Sequence, residues 1–193
     1  MSTRHLIGGA VAIGALGAIG IGAAIAATGD SAVSAPVDFE VVEDAARFAF
    51  DDTPVFDDGM PAYGNQFVTQ GFIYEPGTLA LGGGVLADGT PTHPDRVLGT
   101  WICEGVMVGD GARTERGPWV VSTQVYDFGE LDGDDVVVTH GIETPEIGLA
   151  TARAVVGGTG EHVGAAGTQH QTLEGFSDSG GVELSVTMTP IED

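Results

Sequence analysis

The chain has 193 residues, with 28 acidic residues against six arginines and no lysine, which gives a formal net charge of -22. This balance argues against nucleic acid or anionic lipid as a partner, because phosphate contacts require clustered lysine and arginine. The hydrophobic fraction of 42% argues against a disordered acidic chain, and the length suits one globular domain.

An uncharged hydrophobic run occupies residues 6–27 and is preceded by Arg4 and His5. It is long enough to span a bilayer core of about 30 Å. Three interpretations stay open: a cleaved export signal, a retained membrane anchor and an internal hydrophobic helix. The first two make residues 1–35 a signal or anchor with a short linker and leave residues 36–193 as the folded domain. They predict a protein that is secreted, or anchored on the extracytoplasmic side and in contact with the membrane only through this segment.

The acidic excess also has implications for the surface of the domain. Many Asp and Glu residues without lysine are typical of halophilic proteins, where counterions screen the repulsion between surface charges. A genome that favours Arg, Ala, Gly and Asp codons yields a similar composition. Either explanation connects most of the charge with the surroundings of the protein rather than with a binding site.

Eight segments rich in β-branched or aromatic residues follow residue 36, and glycine-rich turns separate them. They are residues 39–50, 66–74, 97–108, 119–128, 135–140, 147–156, 163–172 and 182–189. No amphipathic helix of ten or more residues is predicted between them. Eight antiparallel strands with tight turns indicate an all-β sandwich or a closed barrel, and an eight-stranded barrel holds packed side chains or one small ligand.

Two neighbouring residues of the predicted strand 97–108 are candidates for chemistry. Glu104 interrupts an otherwise apolar segment, so it is either an inward acid that orients a ligand or an ordinary outward surface group. Cys103 is the single cysteine of the chain, so no intramolecular disulfide forms. It is interpreted as an inert small side chain, with a reactive thiol as the alternative.

The sequence contains no pattern typical of a metal or cofactor site. The histidines that follow the hydrophobic run do not have the spacing of zinc ligands. Acid pairs such as Asp51 and Asp52 lack the alternating oxygen ligands of a calcium loop. We therefore expect no metal and no cofactor.

A glycine-rich run at residues 154–167, AVVGGTGEHVGAAG, resembles the hairpin shared by dirigent proteins and allene oxide cyclases. Residues 135–145 and 104–108 resemble two upstream strands of the same superfamily, in the same order. The resemblance extends over about residues 38–190 and implies an eight-stranded antiparallel β-barrel. It also implies that barrels pack side by side into a homo-oligomer, a trimer in the family.

The resemblance further implies acidic groups at one mouth of the barrel, together with an arginine. The acid of the turn after the fifth strand corresponds to Glu143, and an acid of the first strand corresponds to Glu40 or Glu43. No arginine is matched clearly, because Thr151 stands at the expected place and Arg153 lies two positions beyond it. The set of residues typical of the cyclases is not reproduced.

The sequence thus leads to a set of predicted site residues and three functions. The predicted catalytic residues are Glu143 and Glu104, and the predicted ligand-binding residues are Glu43, Trp101, Cys103 and Tyr74. The favoured function is an exported barrel that binds or orients a small apolar, aromatic or reactive molecule. The alternatives are a cofactor-independent isomerase or cyclase that acts on a reactive lipid- or phenol-derived intermediate, and a structural or interaction module of a halophilic cell surface. Whether the protein is an enzyme is left open.

Overall fold

The structure is a computed structural model that describes residues 36–82, 84–130 and 132–191. The predicted signal or anchor, and the whole segment 1–35, lie outside the described residues. Within the described ranges, no helix has the length and apolar character needed to cross a bilayer.

The described chain folds into nine strands of a single antiparallel sheet. They are β1 (Val37–Glu43), β2 (Ala49–Phe50), β3 (Gln66–Tyr74), β4 (Val97–Met107), β5 (Val120–Phe128), β6 (Val136–Glu143), β7 (Ala150–Gly158), β8 (Gly167–Phe176) and β9 (Val182–Pro190). Their spatial order is β1-β9-β8-β7-β6-β5-β4-β3-β2, and β1 also pairs with β3. This last pairing closes β1 and β3–β9 into an eight-stranded barrel, with the short β2 added beside β3. The prediction of an eight-stranded antiparallel barrel is confirmed.

Several observed strands differ from the predicted ones by a few residues at their ends, and two differences have a clear local cause. The segment 39–50 divides into β1 and β2, because a 3-10 turn at Ala45–Arg47 interrupts it, with the Asp44 side chain accepting a hydrogen bond from the Ala46 N–H at 3.1 Å. The strand predicted to begin at Val163 begins at Gly167, because a 3-10 turn at Gly160–His162 precedes it. Gly160 has a φ of 55° and lies against the backbone of Asp134, so no other residue fits there without displacement.

One end of the barrel interior is filled by aromatic side chains. At the end where β1 begins and β5 ends, Phe39 packs edge-on against Tyr126 and Phe128, with ring centroids 5.1 and 5.6 Å apart. Aromatic rings prefer this edge-to-face arrangement, and each of them buries a large apolar area. A cavity inside the barrel is therefore confined to the opposite end.

A second hydrophobic cluster lies outside the barrel. Val42 and Tyr74 face outward from β1 and β3, where they are covered by Val85. The Tyr74 hydroxyl donates to the Gly84 carbonyl oxygen at 2.7 Å, and burial raises its pKa to about 12. Tyr74 is therefore buried beneath an outer loop and does not lie in the barrel interior.

Candidate functional site

A cavity of about 330 Å³ opens at the end of the barrel where β1, β4 and β6 end. This volume is at the small end of the range for ligand sites, about 300–1,000 Å³. The lining is mainly apolar and includes five aromatic side chains, which are Phe48, Phe67, Trp101, Trp119 and Phe176. Its polar members are Glu43, Thr69, Cys103 and Glu143. Two carboxyl groups therefore lie in a pocket built mostly from aromatic and aliphatic side chains.

Glu143 lines one side of the pocket, and Arg153, Ser122 and Gln171 lie behind it; these four residues form the Glu143 wall. An Arg153 Nη1–H donates to Glu143 Oε1 at 3.2 Å, and the Ser122 hydroxyl donates to the same oxygen. The Gln171 amide donates to Glu143 Oε2 at 3.1 Å. Both carboxylate oxygens are therefore held by donors of the protein, and one of these donors is a cation.

Arg153 is fully buried, and sequence reasoning missed its role. It projects inward from β7, where its guanidinium also donates to the Ser122 carbonyl oxygen at 2.9 Å. Gly141 makes room for it, because a Cβ at that position would lie 3.0 Å from the Arg153 Cγ. Arg153 lies two residues after Thr151, where the family's arginine was expected, so both side chains point to the same face of β7. Arg153 is also the single charged residue of β7. Those two signals could have identified it.

The opposite side, the Glu43 wall, consists of Glu43, Thr69 and Val182. The Thr69 hydroxyl donates to Glu43 Oε1 at 2.6 Å, and the Val182 N–H donates to Oε2 at 2.9 Å. No arginine, lysine or histidine forms an ion pair with Glu43 within residues 36–82, 84–130 and 132–191. Burial raises the pKa of Glu43, and the nearby charge of Glu143 contributes in the same direction.

Four of the six predicted site residues meet in the pocket, and two lie elsewhere. Glu43, Trp101, Cys103 and Glu143 all line the cavity. Glu104 is exposed on the outer face of β4, because successive side chains of a strand point to opposite faces and Cys103 points inward. The structure thus places Glu104 and Tyr74 outside the pocket, and the roles of all six residues remain predictions.

Cys103 is a buried, protonated thiol in this site. Burial raises its pKa well above the ordinary value, and the Glu143 charge adds to the effect. The thiol donates to Glu143 Oε1 with Sγ 3.8 Å from the oxygen. A thiol with a raised pKa is a poor nucleophile, so Cys103 contributes to the shape and hydrogen bonding of the pocket.

No group of three or more His, Cys, Asp or Glu side chains is arranged to hold a metal ion in the described part of the chain. The pocket itself contains two carboxyl groups, and these lie on opposite walls. Its polar groups are therefore suited to hydrogen bonding, charge pairing and proton transfer.

No protein-family model matches the chain, and no curated protein matches its sequence. Solved structures do match. The pterocarpan synthase dirigent protein PsPTS1 is 13% identical, with a TM-score of 0.53, and the match covers 82% of this chain and 96% of that chain. A second pterocarpan synthase dirigent protein, GePTS1, is 13% identical, with a TM-score of 0.50, over 80% of this chain and 84% of that chain.

The chain folds as a dirigent-like barrel. Pyocyanin demethylase is a further structural neighbour, 12% identical with a TM-score of 0.51, and the match covers 80% of this chain and 100% of that chain. At such low identities the likeness concerns the fold of the dirigent-like barrel alone, and its chemistry depends on its own side chains.

Proposed function

We propose that this dirigent-like barrel binds one small apolar or aromatic molecule in the pocket between Glu43 and Glu143. The observation that carries the proposal is the cavity of about 330 Å³ at the open end of the barrel, with five aromatic rings and two converging carboxyl groups in its lining. Apolar pockets with a few convergent polar groups are the usual form of small-molecule sites. The names of the structural neighbours, a demethylase of pyocyanin and two pterocarpan synthases, support a role that involves small molecules.

Two neighbouring alanines provide a matched test of this proposal. Ala45 lines the pocket, whereas Ala46 of the same 3-10 turn is exposed. We expect the neutral fluorescent molecule N-phenyl-1-naphthylamine to bind saturably to the wild type. Ala45→Phe fills part of the cavity and should weaken this binding at least tenfold, whereas Ala46→Phe should leave it unchanged. Equal affinities in the two variants, or no saturable binding to the wild type, would contradict the proposal.

Catalysis in the same pocket is a second candidate, favoured by the difference between the two carboxyl groups. Burial raises the pKa of Glu43, which suits a group that transfers a proton near neutral pH. Arg153 holds the second carboxylate, Glu143, in place. A cofactor-independent isomerase or cyclase would use Glu43 as the acid and Glu143 to orient the substrate.

Glu43→Gln separates catalysis from binding. For any molecule that the barrel converts, this variant should lower kcat by about 10²–10⁴-fold, the usual contribution of a general acid. The affinity for N-phenyl-1-naphthylamine should stay within about twofold, because the amide keeps the shape of the carboxyl group. An unchanged kcat would exclude Glu43 as the acid and leave the binding function in place.

We also propose that the protein works on the extracytoplasmic side and forms a homo-oligomer. The first part is supported by the hydrophobic residues 6–27 in the sequence. The second part is supported by the outer face of β7, where Ala150, Ala152, Ala154 and Val156 are exposed and uncharged in a strongly acidic chain. Native mass spectrometry at high salt would test both, since it yields the mass of the mature chain and the number of subunits.

A structural or interaction module of the cell surface is the third function considered. Such a module needs no cavity, so the pocket with its two carboxyl groups favours the binding function over it. Binding of N-phenyl-1-naphthylamine that is insensitive to Ala45→Phe would revive this alternative.

A further inference from the structure

The two carboxyl groups of the pocket differ in their counter-charges. Glu143 is neutralised by Arg153, whose Nη1 lies 3.2 Å from Oε1. Arg153 is itself buried and does not line the cavity. Among the described residues that do line it, none is arginine, lysine or histidine. A ligand in the pocket therefore meets carboxyl groups without an accessible basic side chain.

Glu43 is held in the pocket by two hydrogen-bond donors. Each of its oxygens accepts from a donor, the Thr69 hydroxyl at 2.6 Å and the Val182 N–H at 2.9 Å. An ionised carboxyl group accepts at both oxygens, and a protonated one also keeps acceptor capacity, so these two contacts fit either protonation state of Glu43. Burial without a counter-ion disfavours the ionised form. Among the described residues, the site thus lacks the positive charge that would stabilise an ionised Glu43.

The aromatic lining supplies a complementary surface for such a charge. Aromatic rings carry negative potential on their faces and attract cations, and tryptophan is the strongest of them. Trp101 and Trp119 both line the cavity, together with Phe48 and Phe67, whose ring centroids are 5.8 Å apart. These rings also present flat apolar surfaces, which suit a planar molecule.

We infer that the ligand of this pocket is a flat, monovalent organic cation whose positive charge lies beside Glu43. The inference rests on the proposed binding function and names its ligand class. The cation completes the ion pair that Glu43 lacks, and its planar body packs against the aromatic lining. An anion of the same shape is excluded by both carboxyl groups and by the large negative charge of the chain.

Binding of such a cation is coupled to the protonation of Glu43. The charged groups around Glu43 are Asp44, which follows it directly after β1, Glu143 across the pocket, and Arg153 beside Glu143. The neutral Cys103 thiol lies nearby on β4. Burial raises the pKa of Glu43 in the free protein, and a neighbouring cation lowers it. The affinity for the cation should therefore increase as the pH rises through the pKa of Glu43, and binding should release protons in that range.

Two probes of nearly identical shape test the inference. The cation 1-methylquinolinium and the neutral 1-methylnaphthalene have the same fused rings and the same methyl group, and differ in one ring atom and in charge. Each is titrated against the purified full chain at pH 8 and about 0.5 M salt, which screens attraction by the surface. Displacement of N-phenyl-1-naphthylamine reports the affinity. We expect the cation to bind at least tenfold more tightly than the neutral molecule.

Matched variants locate the origin of this preference. Glu43→Gln should reduce it to less than threefold, whereas the same change at the exposed Glu104 should leave it intact. Equal affinities of the two probes in the wild type would overturn the inference and leave the proposed binding function standing. A preference that persists in Glu43→Gln would overturn it as well, because attraction by the whole surface would then explain the result. If neither probe nor N-phenyl-1-naphthylamine binds, the proposed function itself fails.

Discussion

The Glu43 wall and the Glu143 wall lie on opposite sides of one cavity, and their glutamates stand on β1 and β6, which are four strands apart around the barrel. Both carry a glutamate at the end of a strand, and both hold its two oxygens with hydrogen-bond donors. They differ in one group, since Arg153 faces Glu143 and no cation faces Glu43 among the described residues. A carboxylate with its own counter-ion is part of the protein framework, whereas a carboxyl group without one is available to a ligand or a proton.

The largest expected effect is on the Glu143 wall. Glu143→Gln leaves the Arg153 guanidinium buried without a counter-charge, and such a change costs about 3–5 kcal/mol of the free energy of unfolding. Urea unfolding of wild type and variant measures it. Glu104→Gln is the matched control on the outer face, and it should change the stability by no more than about 0.5 kcal/mol.

A double variant shows whether the uncompensated charge is the cause. Adding Arg153→Met to Glu143→Gln removes both charges and should restore part of the stability, because replacing a buried ion pair with apolar groups is often nearly neutral. If the double variant is less stable than Glu143→Gln alone, the explanation by charge is wrong.

A smaller effect is expected from the space that Arg153 occupies. Gly141→Ala introduces a Cβ 3.0 Å from the Arg153 Cγ, so the side chain or the strand must move. Overpacking of this kind typically lowers the free energy of unfolding by about 1–3 kcal/mol. Gly175→Ala on β8 is the control, since the nearest atom to its new methyl group, Glu183 Oε2, lies 3.9 Å away. Equal stabilities of the two variants would show that the packing of the Arg153 side chain does not require a glycine at position 141.

The smallest effect is expected on the Glu43 wall, and it has the opposite sign. The pKa of Glu43 is raised above its ordinary value of 4.5 by burial, so the folded state holds its proton more tightly than the unfolded state. Stability from this group is therefore fully present below about pH 4.5 and is lost as the pH rises through the folded pKa. Glu43→Gln does not titrate, so its stability relative to the wild type should improve as the pH rises from about 4.5.

Urea midpoints of Glu43→Gln and wild type between pH 4 and pH 8 test this prediction. The urea midpoint of Glu43→Gln should rise relative to that of the wild type as the pH increases. A constant difference would mean that the folded barrel does not raise the pKa of Glu43, and the contrast between the two walls would then lose its electrostatic basis.

The strands of the barrel were predictable because their signals are local. Glycine-rich turns separate the β-branched segments, and the observed strands β3 and β5 agree with the predicted ones to within a residue. Two departures occur at the 3-10 turns before β2 and β8, where capping by Asp44 and the contact of Gly160 with Asp134 interrupt or delay the strand. Such contacts involve particular partner atoms, which a propensity pattern does not identify.

The site was predictable only in part. Glu143 came from the resemblance, but the acid of the first strand stayed undecided between Glu40 and Glu43. In the barrel these two point to opposite faces, and Glu40 accepts from the Gly77 and Leu79 N–H groups outside. The choice between Glu40 and Glu43 depends on which alternate residues of β1 face the interior. The pairing of β1 with β3 and β9 determines this.

The sequence by itself determined the all-β class, the number of barrel strands and the resemblance to dirigent proteins, because alternation and turn residues are properties of adjacent positions. Only the tertiary structure decided that Glu104 and Tyr74 leave the interior, that Arg153 neutralises Glu143, and that Glu43 has no such partner among the described residues. Closure of the barrel brings β1 opposite β6. The burial of Glu43 and Glu143, and the counter-charge that each of them meets, depend on this arrangement. Two carboxyl groups with the same chemistry thereby acquire different properties.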